Sequence, residues 1–173
     1  EATAFKLADL GVKVGIIDMN EEKGQALAAE LGGAFAKVDV TSDEDVARGF
    51  SELRDSIGQE RLLINCAGIG DALKTASRDR ESGEITPHPM KRFQRVLDIN
   101  LSGTFRCIAE SAAGMMALDP IDGERGSIVN TASAAAEDGQ VGQAAYSASK
   151  AGIVGMTLPI ARDLSRELIR VNT

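Results

Sequence analysis

The sequence predicts an α/β fold: a doubly wound parallel sheet with helices on both faces. Short apolar runs alternate along the chain with longer segments of helical periodicity, which is the pattern of parallel strands joined by crossover helices. The 173 residues are enough for one hydrophobic core, so we expect a single domain over residues 1–173. Polar side chains follow several of the predicted strands, at the sheet edge where open α/β folds bind ligands.

Five strands are predicted from short apolar runs that end at small or polar residues. They are Val12–Asp18, Ala34–Asp39, Arg61–Asn65, Ser127–Thr131 and Ile169–Asn172. The helix after the first strand should begin at Asn20, a favoured N-cap residue that is followed by two glutamates. The helix after the second strand should begin with the capping-box pattern Thr41-x-x-Glu44. Each of these crossovers therefore has a defined starting residue.

Two long helices are predicted in the second half of the chain. The first extends from Lys91 to Leu118 and the second from Ala144 to Arg166. Pro159 removes a backbone donor inside the second helix, so we expect the helix to bend or break there. The segment Asp71–Met90 is polar and has no clean period, which predicts a loop.

The composition excludes several classes of function. A formal net charge of −7 and a pI near 4.8 argue against nucleic acid or an anionic membrane as the main partner. No membrane span is expected, and the cytoplasm or an organelle matrix is the expected location. Cys66 and Cys107 are too few for a disulfide framework, and the single His88 cannot complete a zinc site with them, so no metal is expected.

The most informative feature for function is the spacing of Tyr146 and Lys150. Four residues apart on a helix, the two side chains lie on one face. A fixed ammonium near a phenol favours the phenolate, so such a pair can exchange a proton near neutral pH. The same spacing also occurs on solvated helix faces, and the pair alone leaves both interpretations open.

Two further polar residues can meet this pair. Ser133 follows the predicted strand Ser127–Thr131, which puts it at a strand end to which the next helix can bring Tyr146. Asn100 lies on the apolar stripe of the helix from Lys91 to Leu118, where a buried amide needs partners. It is either part of the same site or a core asparagine paired with backbone groups.

The order of these residues resembles a known family. The chain carries Asn65-Cys66-Ala67-Gly68, then Asn100, Ser133 and Tyr146-x-x-x-Lys150. In this arrangement it resembles the short-chain dehydrogenase/reductase family over nearly its full length. Residues 130–133, 139–150 and 152–164 further resemble the branch that acts on 3-hydroxyacyl-CoA esters. The resemblance implies a Rossmann-type fold, a nicotinamide cofactor and the interconversion of a secondary alcohol and a ketone, here a 3-hydroxyacyl-CoA and a 3-oxoacyl-CoA.

The resemblance implies four catalytic residues. Ser133 and Tyr146 would hydrogen-bond the reacting oxygen, and Tyr146 would remove its proton while the hydride passes to the nicotinamide. Lys150 would favour the phenolate and also hold the nicotinamide ribose. Asn100 would support a water that links Lys150 to solvent.

The cofactor is expected to be NAD. Asp18 ends the first strand, where dinucleotide folds place a carboxylate that binds the adenosine ribose and repels a 2′-phosphate; alternatively, Asp18 only caps the next helix. By resemblance, Asp39 and Val40 contact the adenine, although Asp39 is also an ordinary turn residue. The small residues within Asn65, Cys66, Ala67 and Gly68 allow a ligand to approach the backbone closely.

The substrate is expected to be a small molecule, by resemblance an acyl-CoA. Gln140 and Gln143, on the approach to Tyr146, either polarise a thioester carbonyl or order the loop. Three basic residues of the segment 71–90 either meet CoA phosphates or are merely solvated; they are Lys74, Arg78 and Arg80. A steroid, a sugar or another secondary alcohol is the alternative substrate, and a non-catalytic dinucleotide-binding homologue is the alternative function.

Two further expectations concern the limits of the chain and its assembly. Residues 1–8 have the pattern of a helix body, so the family's first strand and glycine-rich turn are expected upstream, and its substrate lid after Thr173. The chain alone would then bind the cofactor poorly. Small and flexible apolar residues continue along 112–117, so this helix and the one after Tyr146 are expected to form a symmetric homodimer or homotetramer.

Overall fold

A computed structural model describes all 173 residues, and it contains six α-helices and seven strands. The helices are α1 (Ala2–Asp9), α2 (Glu21–Leu31), α3 (Asp43–Ile57), α4 (Met90–Leu97), α5 (Gly103–Met116) and α6 (Ala144–Leu164). The strands are β1 (Gly15–Asp18), β2 (Ala34–Lys37), β3 (Leu62–Asn65), β4 (Ala76–Arg78), β5 (Ile85–Pro87), β6 (Gly126–Asn130) and β7 (Ile169–Asn172).

The strands form two parallel groups and one hairpin. β1 pairs with β2, and β6 pairs with β3 on one side and β7 on the other, all in parallel. No backbone ladder joins the two groups. The five predicted strands are therefore all present, four of them with narrower or shifted bounds.

The prediction of a loop throughout residues 71–90 is wrong, because β4 and β5 pair within it as an antiparallel hairpin. Most residues of this hairpin are exposed. A strand with two solvated faces carries no alternation of apolar and polar residues, so the periodicity on which strand prediction depends is absent.

Helices cover both faces of the β1–β2 group. Consecutive side chains of a strand point to opposite faces. A side-chain carbon on Gly24 of α2 would lie 2.1 Å from the Phe35 ring, and one on Gly49 of α3 would lie 2.1 Å from a methyl carbon of Val38 and 3.6 Å from Ala36. Because Phe35 and Ala36 are neighbours in β2, α2 and α3 pack on opposite faces, and the sheet is doubly wound as predicted.

Two hydrophobic clusters hold the helices on the strands. One lies where α5 and α6 cover β6 and β7, and it buries Ile108, Ala112, Met115, Ile128, Ile160, Ile169 and Val171. The other lies between β2, α3 and α5, and it buries Ala36, Val38, Val40, Val46, Phe50 and Cys107. Helix α5 contributes to both clusters and thereby connects the two strand groups.

The helix starts agree with the sequence at one position and differ at another. Asn20 caps α2, since its side chain accepts a hydrogen bond from the Lys23 amide at 3.0 Å. The predicted cap Thr41 is wrong: α3 is capped by Ser42, whose hydroxyl accepts from the Asp45 amide at 3.1 Å. The Thr41 hydroxyl instead donates a hydrogen bond to Asp39 at 2.8 Å, within the turn that precedes α3.

The long helix predicted from Lys91 to Leu118 is interrupted. A π-helical turn, Asp98–Ser102, lies between α4 and α5, and Asn100 is at its centre. Phe105, in the first turn of α5 after this π-turn, is 51% exposed. π-turns often mark functional positions in helices.

Helix α6 continues through Pro159 to Leu164, so the helix does not break there; the bend expected at Pro159 stays a prediction. An internal proline costs a helix about 3 kcal/mol. Ile153 and Ile160, on either side of it, are both buried, and each such side chain contributes about 1.5–3 kcal/mol. Packing therefore offsets the proline. None of the helices combines the length and apolar composition that crossing a bilayer requires.

Candidate active site

A cleft of about 720 Å³ opens at the carboxyl ends of β3 and β6. Its walls come from the segment after β3, the segment after β6 and the first turns of α6. Seven of the residues predicted from the sequence line it: Cys66, Gly68, Ser133, Gln140, Gln143, Tyr146 and Lys150. The fold thus brings together residues that are far apart along the chain, at the sheet edge where the sequence placed them.

Lys150 is buried beside Tyr146. Its side chain is only 4% exposed, and Nζ donates a hydrogen bond to the Thr131 carbonyl at 2.6 Å. Nζ also lies 5.7 Å from the centre of the Tyr146 ring. A solvated helix face is therefore excluded, because a buried ammonium is retained only where it has polar partners. The Tyr146 ring is half-buried and lies at the cleft wall.

Ser133 stands at the start of a short 3₁₀ turn after β6. Its Oγ accepts a hydrogen bond from the Ala135 amide at 3.2 Å. A hydroxyl that accepts one hydrogen bond still has its own proton to donate. The Ser133 hydroxyl can therefore donate to an oxygen in the cleft that Tyr146 also reaches.

Asn100 is fully buried at 0% exposure and joins three segments around the cleft. Its Oδ1 accepts from the Ile69 amide at 2.8 Å, and its Nδ2 donates to the Ile69 carbonyl at 2.9 Å. Nδ2 also donates to the Ser149 hydroxyl at 3.0 Å. Asn100 is thus paired with backbone groups, as expected for a core asparagine. The backbone groups that it binds nevertheless belong to Ile69, which lines the cleft. Its support of a bound water remains a prediction.

The segment after β3 keeps its backbone close to Asn100 and Lys150. The Asn65 side chain donates to Oδ1 of Asn130 at 2.9 Å, which ties β3 to β6 at their ends. A side-chain carbon on Gly68 would lie 3.3 Å from Oδ1 of Asn100 and 3.8 Å from Nζ of Lys150. Ala67, beside Gly68, is exposed and does not line the cleft. A glycine at position 68 keeps the approach to the Lys150 ammonium open.

Three of the residues predicted to bind the cofactor lie outside the cleft, on the β1–β2 group. Asp18 ends β1 and is exposed; its Oδ1 accepts from the Asn20 amide at 2.8 Å, and Asn20, not Asp18, caps α2. Asp39 accepts from the Thr41 amide at 2.9 Å, the contact of a turn aspartate. Val40 is buried in the second cluster. All three lie at or just after the carboxyl ends of the parallel strands β1 and β2.

The residues predicted to meet the substrate divide into two groups. The Gln143 side chain accepts from the Gln140 amide at 2.9 Å, so it orders this loop. Both glutamines line the cleft. The three basic residues of the hairpin region are exposed and do not line it; they are Lys74, Arg78 and Arg80. Of the two groups, only the glutamines can therefore contact a molecule in the cleft.

Sequence reasoning missed four contributors to the site. Thr131 contributes its carbonyl, and Asp71 and Asp138 contribute carboxylates to the cleft wall. Ser149 is fully buried between Asn100 and the first turn of α6. A signal for Ser149 was available: it lies three residues after Tyr146, where a serine hydroxyl can reach back to a helix carbonyl. No residue type signals a carbonyl ligand such as that of Thr131.

The two thiols differ sharply in their surroundings. Cys66 is exposed at the cleft wall, and its sulfur is 3.6 Å from the Thr131 hydroxyl. Cys107 is buried in α5, and desolvation raises its pKa from 9.0 to about 11. Only Cys66 is therefore accessible to a reagent in solution.

Comparison with known proteins agrees with this geometry. A family model described as short chain dehydrogenase matches residues 1–173. 3-Hydroxyacyl-CoA dehydrogenase type-2 of Drosophila melanogaster is 50% identical over 175 residues, which cover 99% of this chain and 67% of that protein. The Homo sapiens protein of the same name is 48% identical, with 99% and 66% covered. The chain therefore spans about two thirds of the length of the curated relatives it matches.

A solved structure gives the same result. The crystal structure of 3-hydroxyacyl-CoA dehydrogenase type-2 from Mycobacterium avium superposes with a TM-score of 0.90 at 39% identity, covering 99% of this chain and 67% of that one. The match extends over the whole chain, including the segments that build the cleft. The chain belongs to the short-chain dehydrogenase family.

Proposed function

We propose that the protein is an NAD-dependent dehydrogenase that interconverts a 3-hydroxyacyl-CoA and a 3-oxoacyl-CoA. The observation that carries this proposal is the Tyr146 phenol beside the buried Lys150 ammonium, with the Ser133 hydroxyl in the same cleft. These are a proton-exchanging group, the charge that favours its ionised form, and a second donor for the reacting oxygen. The resemblance of the chain to 3-hydroxyacyl-CoA dehydrogenases supports the substrate class.

The residues of the chain have separate tasks in this mechanism. The Ser133 and Tyr146 hydroxyls hold the alcohol oxygen, and the Tyr146 phenolate takes its proton. Bound NAD supplies the acceptor for the hydride that leaves the carbon. Lys150 stabilises the phenolate from behind the ring. In the reduction of a ketone, Tyr146 donates the proton instead.

The residues present fit the two riboses of a dinucleotide. The Lys150 ammonium is beside Gly68, whose missing side chain leaves room for a ribose to reach that donor. Cys66 and Thr131 complete this part of the wall. At the adenosine end of the dinucleotide, the exposed Asp18 carboxylate is suited to a ribose diol. The negative charge of Asp18 also disfavours the extra phosphate of NADP.

The charges of the cleft favour a neutral acyl end. Asp71 and Asp138 line it, and Lys150 is the only cationic side chain in the lining. Lys150 donates one of its three protons to the Thr131 carbonyl at 2.6 Å, and its ammonium lies over the Tyr146 ring. The Asp71 carboxylate is held by Arg92, with Nε 3.0 Å from Oδ2, which leaves Asp138 as the free charge. A thioester next to the reacting carbon meets no repulsion here, whereas a free carboxylate does.

The test is a cofactor assay with paired substrates. Appearance of NADH should follow addition of 3-hydroxybutyryl-CoA with NAD, whereas free 3-hydroxybutyrate should react more slowly by at least about tenfold in kcat/KM. A steroid alcohol and a sugar alcohol complete the series. Faster turnover of either of these than of the CoA ester would contradict the proposed substrate, and no turnover of any alcohol would contradict the proposed reaction.

We also propose that the protein is a homo-oligomer that pairs through α5 and α6. A largely apolar groove of about 800 Å³ lies between α3, α5 and α6, and Leu101, Phe105 and Met156 line it. Phe105 and Leu158 are exposed. A second copy would bury these side chains, as symmetric assemblies commonly do. Light scattering should give the mass of a dimer or tetramer at micromolar concentration; a monomer would contradict the proposal.

A further inference from the structure

Ser149 forms a hydrogen-bond chain that ends on the backbone of the proposed proton-exchanging residue. Its side chain is 0% exposed. The hydroxyl accepts from Nδ2 of Asn100 at 3.0 Å and donates to the Tyr146 carbonyl at 2.7 Å. Asn100 is held in turn by the amide and the carbonyl of Ile69. The chain therefore begins at the cleft wall and ends at the first turn of α6.

The direction of each bond in this chain is fixed by proton count. A serine hydroxyl has one proton, and here the Tyr146 carbonyl accepts it. The lone pairs of the hydroxyl must then face a donor, which is the Asn100 amide nitrogen. Asn100 uses both of its amide protons, one on Ser149 and one on the Ile69 carbonyl. With no spare donor in the chain, a shift of one member displaces the others.

We propose that Ser149 is a positioning residue for the dehydrogenase reaction: through Asn100 and the Tyr146 carbonyl it sets where the Tyr146 phenol stands relative to the cleft wall formed by residues 66–70. The inference rests on the proposed function, since it concerns the residue that exchanges the proton. Ser149 touches neither substrate nor cofactor, because its side chain is fully buried. Its effect reaches the reaction only through the geometry of Tyr146.

The chain contains a matched control for this idea. Ser111, in α5, is also 0% exposed, but its hydroxyl has no hydrogen-bond partner. Ser111→Ala and Ser149→Ala each remove one buried oxygen from a helix. Only the second leaves an Asn100 proton without its acceptor. A difference between the two variants therefore reports the hydrogen-bond chain and not the loss of a buried atom.

The experiment measures turnover per folded molecule, with active sites counted by NADH fluorescence titration. Ser149→Ala should lower kcat by about 10- to 100-fold, the size expected when a reacting group is slightly misplaced. Its NADH affinity should stay within about threefold of the parent, because no cofactor contact is removed. Ser111→Ala should keep kcat within about twofold. Ser149→Cys, which keeps a side chain of the same shape and only slightly larger but bonds weakly, should behave as Ser149→Ala and covers the case in which the alanine variant does not fold.

A double variant tests whether the two residues act as one unit. If Ser149 works through Asn100, the Asn100→Ala/Ser149→Ala protein should turn over no more slowly than Asn100→Ala alone. The inference would be overturned if the kcat reductions of the two single variants multiplied in the double variant. It would also be overturned if Ser149→Ala had the same kcat as Ser111→Ala. A parent protein without turnover would instead contradict the proposed function, so the two failures are distinguishable.

Discussion

The two strand groups hold their polar residues in different ways. In the β3–β6–β7 group the site residues are tied by buried contacts between distant segments: the Asn100 amide to Ser149, and the Lys150 ammonium to the Thr131 carbonyl. In the β1–β2 group, the side chains of Asp18 and Asp39 accept hydrogen bonds only from residues two positions along the chain, and these bonds are exposed. The site side chains of the first region are fixed by the fold, and the two carboxylates of the second are fixed by their local turns.

This difference matches the two tasks that we assign to the regions. Proton and hydride transfer require reacting atoms at defined positions, and misplacement by about 1 Å can cost 10²-fold in rate. Recognition of a ribose by an exposed carboxylate tolerates small movements and depends mainly on charge. The comparison predicts that substitutions in the first region change turnover, while substitutions in the second change cofactor choice and affinity.

The largest effect is expected for Tyr146→Phe. The ring still packs, and only the proton-exchanging oxygen is lost. Turnover should fall by at least about 10²–10⁴, as expected for a general acid/base, while NADH affinity stays within several-fold. Steady-state kinetics and fluorescence titration provide the two measurements. A kcat within about tenfold of the parent would remove Tyr146 from its assigned role.

The next effect is expected for Asp18→Ser, in the other region. The parent should prefer NAD over NADP by at least about 10²-fold in kcat/KM, because the carboxylate binds the ribose diol and repels a phosphate. Serine keeps an oxygen for the Asn20 amide but removes the charge, so the preference should shrink. The ratio of kcat/KM values for the two cofactors measures this. An unchanged ratio would assign the specificity to other residues.

A third prediction tests the contact between the two regions. A side-chain carbon on Gly103, at the start of α5, would lie 2.7 Å from one methyl carbon of Val40. Gly103→Ala should therefore lower the free energy of unfolding by about 1–3 kcal/mol and weaken NADH binding, because the turn at Asp39 and Val40 must shift. Urea unfolding and NADH titration measure the two effects.

The matched control for Gly103 is Gly155 of α6, where an added carbon would meet nothing within 4 Å. Gly155→Ala should raise the free energy of unfolding by about 0.5–1 kcal/mol, the helix-propensity gain. If both variants changed stability in the same direction and by the same amount, the contact between α5 and Val40 would not be what couples the regions.

The smallest effect distinguishes the two thiols. Burial raises the pKa of Cys107 to about 11, so it stays protonated and protected at pH 8, whereas the exposed Cys66 should react with iodoacetamide. NADH should slow the modification of Cys66 if the cleft holds the cofactor. Because the folded pKa of Cys107 is above the ordinary 9.0, its contribution to stability is complete below pH 9 and is lost as the pH rises toward 11. Labelling of Cys107 at pH 8, or no protection of Cys66, would contradict these assignments.

Much of this arrangement was predictable from sequence, because strand ends and helix faces determine which residues can meet. The five main strands, the burial of Asn100 and the shared cleft of Ser133, Tyr146 and Lys150 follow from periodicity and spacing. The resemblance to the dehydrogenase family added the expected roles. It did not add the contacts by which those residues are held.

Three features were not predictable from the sequence: the cap of α3, the exposed hairpin and the carbonyl that binds Lys150. Thr41 and Ser42 are both suitable helix caps, and the bond from Thr41 to Asp39 decides between them. The hairpin around residue 80 is exposed on both faces and leaves no periodic pattern. The Thr131 carbonyl that binds Lys150 is a backbone group, which every residue possesses, so only the three-dimensional path of the chain reveals it.

The π-helical turn at Asp98–Ser102 is also a place where this gene can lose a codon. A π-turn closes over one residue more than an α-turn, so deleting one residue from it leaves an α-turn and keeps the facing of α5 nearly unchanged. An α-helix advances about 100° per residue, so a deletion in the first turn of α5 would instead rotate Cys107, Ile108 and Met115 out of the two clusters. In a library selected for soluble protein, single-residue deletions at 98–102 should thus be recovered more often than deletions at 104–106, and deletions in the exposed hairpin tip at 80–82 should survive.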